Sequence, residues 1–94
     1  MNNLANILIV EDDSTIRTIL QMLLRSVGFT HVRSAARGDE GLDAIRREPP
    51  QLVLLDLMLP GLDGLTVCRR VREDPTLADV RIIMLTAKSE DEDV

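Results

Sequence analysis

The stretch ILIVEDDSTIR, residues 7–17, decides how the rest of the chain is read. Four apolar residues, Ile7 to Val10, run without a linker into three consecutive carboxylates, Glu11, Asp12 and Asp13. A short continuous apolar run is the pattern of a strand buried on both faces, as in a parallel sheet. Directly after the acids, Ile16, Ile19, Leu20, Leu23, Leu24 and Val27 recur at steps of three and one, the stripe of an amphipathic helix. Asp13 or Ser14 can cap its start, and Gly28 followed by Phe29 suits a left-handed cap at its end. The acids therefore stand where a buried strand hands over to a helix.

Outward from this stretch the same alternation repeats. Residues 30–35 read as a short edge strand, followed by a turn at Gly38. Leu42, Ala44 and Ile45 make a short second helix that Pro49 and Pro50 close. LVLLD, residues 52–56, is a second buried run, and it ends in Asp56. Gly61, Asp63 and Gly64 open a third helix carrying Leu65, Val67, Cys68 and Val71, which Asp74-Pro75 ends. VRIIMLTAK, residues 80–88, is a fourth strand ending at Thr86. Strands alternating with helices predict an α/β fold, a parallel sheet covered on both faces through right-handed crossovers. In the strand order 2-1-3-4 the first and third strands are neighbours at the switch point, where open sheets bind ligands beyond their carboxyl ends. Glu11, Asp12, Asp56 and Thr86 all fall at that edge.

Composition narrows the functions available to such a fold. The 94 residues are 45% apolar and 29% charged, ordinary for a folded chain of modest core. A net charge of -5 argues against a phosphate-backbone surface, and the single aromatic, Phe29, against stacking on bases. Direct nucleic-acid binding by this segment is not expected. One cysteine, Cys68, excludes an internal disulfide, no apolar run has the length of a membrane span, and the cytoplasm is the expected compartment.

Three carboxylates drawn into one cleft resist ionising together unless a cation compensates them. All-oxygen donors select a hard ion, and a few protein oxygens leave room for the waters and phosphoryl oxygen with which Mg2+ is usually held. Asp56, a lone acid at the end of an apolar strand, is the candidate nucleophile, since a carboxylate can form an aspartyl phosphate. The Thr86 hydroxyl and the Ala87 backbone N–H could bind the equatorial oxygens of that group. Plainer roles stand beside these. The acids can serve a helix dipole, Thr86 can simply finish a strand, and Cys68 fits core packing. Met22, Met58 and Met84 are core or loop fillers, His31 is a solvated edge residue, and Arg69, Arg70 and Arg72 form a solvated helix face.

Taken together, IVEDD (9–13), LLDLMLPGLDG (54–64) and MLTA (84–87) resemble the receiver domain of two-component response regulators, from Ile7 to the last residue. The resemblance implies a flavodoxin-like three-layer sandwich in which Asp56 accepts a phosphoryl group from a sensor histidine kinase or phosphotransfer protein. It implies Mg2+ on Glu11, Asp12, Asp56 and the backbone carbonyl of Met58, with Thr86 as the switch residue and Ala87 beside it. It also implies output through an effector domain or partner beyond Val94, and no catalysis other than the module's own phosphorylation and dephosphorylation. The rival is a Mg2+-dependent phosphohydrolase or phosphotransferase working through an aspartyl phosphate. Its dehalogenase-type pattern wants a second acid two residues after the nucleophile, where Met58 stands. The family's fifth strand with its Lys, and its fifth helix, have no match, so residues 1–94 are expected to be one receiver domain incomplete at its C-terminus. Lys88 lies in the wrong place to substitute, and Ser89 to Glu92 reads as a capping box with no helix behind it. An exposed fourth-strand edge is then expected to favour a homodimer.

Overall fold

A computed structural model describes residues 5–85. Its elements are β1 (Asn6–Val10), α1 (Ser14–Ser26), β2 (His31–Ala35), α2 (Gly38–Arg47), β3 (Leu52–Asp56), α3 (Gly64–Glu73), a 3-10 turn (Pro75–Leu77) and β4 (Arg81–Leu85). The four strands form one parallel sheet in the order β2-β1-β3-β4, as the sequence predicts.

Alternation along the strands sorts the apolar residues onto two faces. Leu8, Val10, Val53 and Leu55 join Leu42 and Ile45 of α2, Val67 and Val71 of α3, and Leu77 and Val80 in one buried cluster. Ile7 and Ile9 point the other way and are also buried, on the side where α1 crosses β1 and β2. Cys68 packs against the first cluster, in keeping with a core role. Burying this set supplies the main force that holds the strand ends in register.

Helix α1 departs from expectation. Its stripe promised a core-facing helix, yet none of its residues is fully buried. Leu20 and Leu24 are half-buried, whereas Ile16, Ile19, Leu23 and Val27 are 44%, 50%, 58% and 62% exposed. The apolar arc is wider than the strip along which α1 meets the sheet, so one flank is left out. Met22 is also exposed, and is neither a core nor a loop filler. β2 begins one residue later than the sequence indicates, because its ladder starts with Asn6 opposite His31. Thr30 stays in the irregular connection that follows Gly28, which has φ 108°.

The register matters most at the carboxyl edge. Val10 lies opposite Leu55 on one side and Ala35 on the other, and Asp56 lies opposite Leu85. Glu11 is therefore the first residue past β1, level with Asp56 across the β1–β3 pair.

Candidate functional site

The chain leaves β1 through a short, tightly fastened loop. The Glu11 N–H extends the ladder by donating to the Ala35 carbonyl at 3.0 Å. Two residues on, Asp13 caps α1, its Oδ1 accepting from the Thr15 and Ile16 N–H groups at 2.8 and 3.1 Å. Between these anchors the Glu11 side chain turns back, and its Oε2 accepts the Asp13 N–H at 3.0 Å.

This loop and the end of β3 bring Glu11, Asp12 and Asp56 together, with one carboxylate oxygen from each inside 4.8 Å of the others. Glu11 and Asp56 are buried and Asp12 is exposed at the mouth. Among the described residues, the ion pairs are Arg33–Glu48, Arg37–Asp39 and Arg47–Asp43, none of which touches the cluster. Burial raises the Glu11 carboxyl above its ordinary value, opposed by the Asp13 N–H and reinforced by the charges of Asp56 and Asp12. With two of its acids buried and no ion pair to any of the three among the described residues, the cluster offers all-oxygen donors that suit a hard divalent ion, and the residues present fit Mg2+.

Met58 sits two residues past Asp56, its N–H donating to Asp56 Oδ1 at 3.4 Å and its side chain exposed. Glycines let this loop fold close to the nucleophile candidate. The Gly64 N–H donates to the Leu57 carbonyl at 3.0 Å, and a Cβ on Gly64 would stand 2.2 Å from the Asp56 carbonyl oxygen. Gly61 adopts φ 81°, the left-handed region. Farther out, the Gly38 N–H donates to the Pro60 carbonyl at 3.0 Å, so the start of α2 holds the outer bend of the loop. Thr86 and Ala87 lie outside the described residues, as do Lys88 and the Ser89 to Glu92 motif.

Two contributors escaped the sequence reading. Gly38 looked like a turn residue, but it is the first residue of α2 and the seat of the loop that carries Met58. Arg17, at the end of the opening stretch, reaches back so that its Nη1 donates to the Glu11 carbonyl at 2.8 Å and the Asp12 carbonyl at 3.3 Å. The available signal was its spacing, three and seven residues before Leu20 and Leu24 on the sheet-facing side.

The sequence profile of the response regulator receiver domain matches residues 7–94. The transcriptional regulatory protein AfsQ1 of Streptomyces coelicolor is 46% identical over 89 residues, 95% of this chain and 38% of that protein. The chain thus spans well under half of that relative's length. Among solved structures, the N-terminal domain of a response regulator receiver protein from Methanoculleus marisnigri JR1 is 38% identical with a TM-score of 0.83, covering 90% of this chain and 68% of that one. The receiver domain of the sensor histidine kinase PA1611 from Pseudomonas aeruginosa PAO1, solved with a magnesium ion coordinated in its active-site cleft, is 33% identical with a TM-score of 0.85. It covers 93% of this chain and 70% of that one.

Proposed function

This chain belongs to the response regulator receiver domain family, and on that premise we propose that Asp56 is its phosphoacceptor. The observation that carries the reading is the convergence of Glu11, Asp12 and Asp56 at the carboxyl ends of adjacent parallel strands. An Asp56 oxygen attacks the phosphorus of a phosphohistidine on a kinase or phosphotransfer protein. The O–P bond forms as the P–N bond breaks, and the imidazole leaves. Asp12 and Asp56 would hold Mg2+ directly, with the Met58 carbonyl as a third protein ligand and Glu11 acting through water. The ion supplies charge neutralisation for the transferring phosphoryl group.

The chain's own residues prepare this site in two ways. The β1–β3 register sets Asp56 beside the acidic pair, and the Met58 N–H orients one Asp56 oxygen. Thr86 and Ala87 come next in sequence after β4, and the Thr86 hydroxyl and the Ala87 N–H would report the phosphoryl group to an effector domain or partner, in the cytoplasm. The phosphohydrolase reading loses ground because Met58 replaces the acid it needs and turns its side chain to solvent.

Incubation with acetyl phosphate and Mg2+ followed by intact-mass measurement tests the proposal. The expected result is one phosphoryl adduct that disappears in Asp56→Asn. An adduct that survives that substitution would move the acceptor elsewhere, and steady release of phosphate from many esters would favour the hydrolase.

A further inference from the structure

We propose that Arg17 is a positioning residue, whose guanidinium fastens the backbone of Glu11 and Asp12 so that their carboxylates stay aimed at Asp56. The inference rests on the metal-site reading above and goes beyond it, since Arg17 is neither a ligand nor an acid.

Backbone accounting points to it. The β1 ladder ends with the Glu11 N–H, and the first helical bond of α1 runs from the Arg17 N–H to the Asp13 carbonyl at 2.9 Å. The carbonyls of Glu11 and Asp12 fall between these two systems. Among the described residues no backbone N–H reaches either of them. Arg17 Nη1 supplies both with a donor, at 2.8 and 3.3 Å, and among the described residues it has no carboxylate ion-pair partner. It is half-buried, as suits an arginine that covers part of its stem while its head bridges the two carbonyls. Hydrogen bonds from an ionised donor are about twice as strong as neutral ones.

The site needs such a fastening. Three carboxylates inside 4.8 Å repel one another, and the cheapest relief is for the exposed member, Asp12, to swing outward with its loop. A tie on the Glu11 and Asp12 carbonyls resists that swing from behind, without adding a cation among the carboxylates themselves. Lysine can carry the charge but, as a flexible point charge, holds two carbonyls less well than the preorganised guanidinium.

The sign of one measurement separates positioning from simple electrostatics. Removing a positive charge near a divalent-cation site should, by Coulomb attraction alone, tighten cation binding. Positioning predicts the reverse. Mg2+ titration by calorimetry is therefore made on the wild type, Arg17→Met, Arg17→Lys and Asp12→Asn, with urea unfolding of each metal-free protein to show that it folds. The expected result is roughly tenfold weaker Mg2+ binding in Arg17→Met, the order of loss typical when a residue supporting a metal ligand is removed. Arg17→Lys should fall between it and the wild type, and its retained charge keeps the test valid if the Met variant folds poorly. Unchanged or tighter binding in a folded Arg17→Met or Arg17→Lys, with binding lost in Asp12→Asn, overturns the positioning role and leaves the metal site standing. Normal binding in Asp12→Asn as well overturns both.

Discussion

Replacing Gly38 by alanine should destabilise this protein, against the usual direction of that substitution. In a helix, alanine is normally favoured over glycine by roughly 0.5–1 kcal/mol. Gly38 opens α2, and its N–H donates to the Pro60 carbonyl at 3.0 Å. A Cβ built there stands 1.6 Å from the Leu62 carbonyl oxygen and 2.6 Å from its carbonyl carbon, which are backbone atoms that no rotamer change can remove. Restoring ordinary contact, about 3.5 Å for carbon pairs, requires the loop or the helix to move by roughly 1.5–2 Å. The loop is not free to yield, since the Leu62 N–H donates to the Pro60 carbonyl and the Gly64 N–H to the Leu57 carbonyl, each at 3.0 Å. Losing the Gly38–Pro60 bond costs about 1 kcal/mol, and overpacking typically about 1–3 kcal/mol. Set against the helical gain, Gly38→Ala should lower the free energy of unfolding by roughly 1–3 kcal/mol. Urea unfolding of the metal-free protein, followed by circular dichroism, measures this. Because the displaced loop carries Met58, Mg2+ affinity should fall as well. A variant as stable as the wild type, with the same denaturant slope, would refute the idea that α2 seats the loop.

Three further outcomes follow from the same geometry. Glu11 is raised above its ordinary 4.5 by burial and by the Asp56 and Asp12 charges, so the folded state holds its proton more tightly than the unfolded chain does. Metal-free stability should therefore fall as pH rises from about 4.5 through that raised value, and the slope should flatten in Glu11→Gln. Asp39, Asp63 and Asp74 are all lowered from 3.8 and lose their contribution only below that value, so they do not mask the effect; an unchanged slope in Glu11→Gln would assign it to another group. Thr86→Ala in the full-length protein should still take phosphate on Asp56 but pass little signal to a reporter, whereas normal output would remove Thr86 from the switch. Finally, β4 pairs only with β3 among the described residues and leaves Ile83 52% exposed, so the 94-residue chain alone should self-associate through that edge. A monomer at all concentrations in sedimentation equilibrium would reject this.

What the sequence revealed depended on whether a residue's role lay in its side chain or in its surroundings. β1 and β3 were legible because strands buried on both faces read as unbroken apolar runs, and the acids at their ends stood out against that background. Helix α1 was legible as a helix but not as a surface: periodicity reports that Ile16, Ile19, Leu23 and Val27 share an arc with Leu20 and Leu24, and cannot say how much of that arc the sheet covers. Gly38 has no side chain to carry a signal. Its requirement arises from the Leu62 carbonyl, a contact between elements 24 residues apart in sequence. Arg17 was hidden for a related reason, because its partners are backbone carbonyls whose lack of other donors appears only once the ladder and the helix have claimed theirs.

The acids themselves admitted two readings, a helix-dipole role and a metal site, and their placement bears differently on each. If Glu11, Asp12 and Asp13 served the dipole, they would lie in the first turn of α1. That turn contains no acidic residue. Only Asp13 serves the helix end, as its cap. Glu11 is instead buried at the end of the ladder beside Asp12 and Asp56, where burial first and then those two charges push its carboxyl above the ordinary value. A helix start gains nothing from such an arrangement, because a solvated acid would stabilise it as well and at less expense. Departures of this kind from the plainest local chemistry are expected at functional sites. The two buried acids, Glu11 directly after β1 and Asp56 at the end of β3, have their backbones fixed side by side by the β1–β3 register. That pair is therefore held together by the core beneath it, whereas Asp12, exposed on the loop beyond β1, depends on how that loop is fastened.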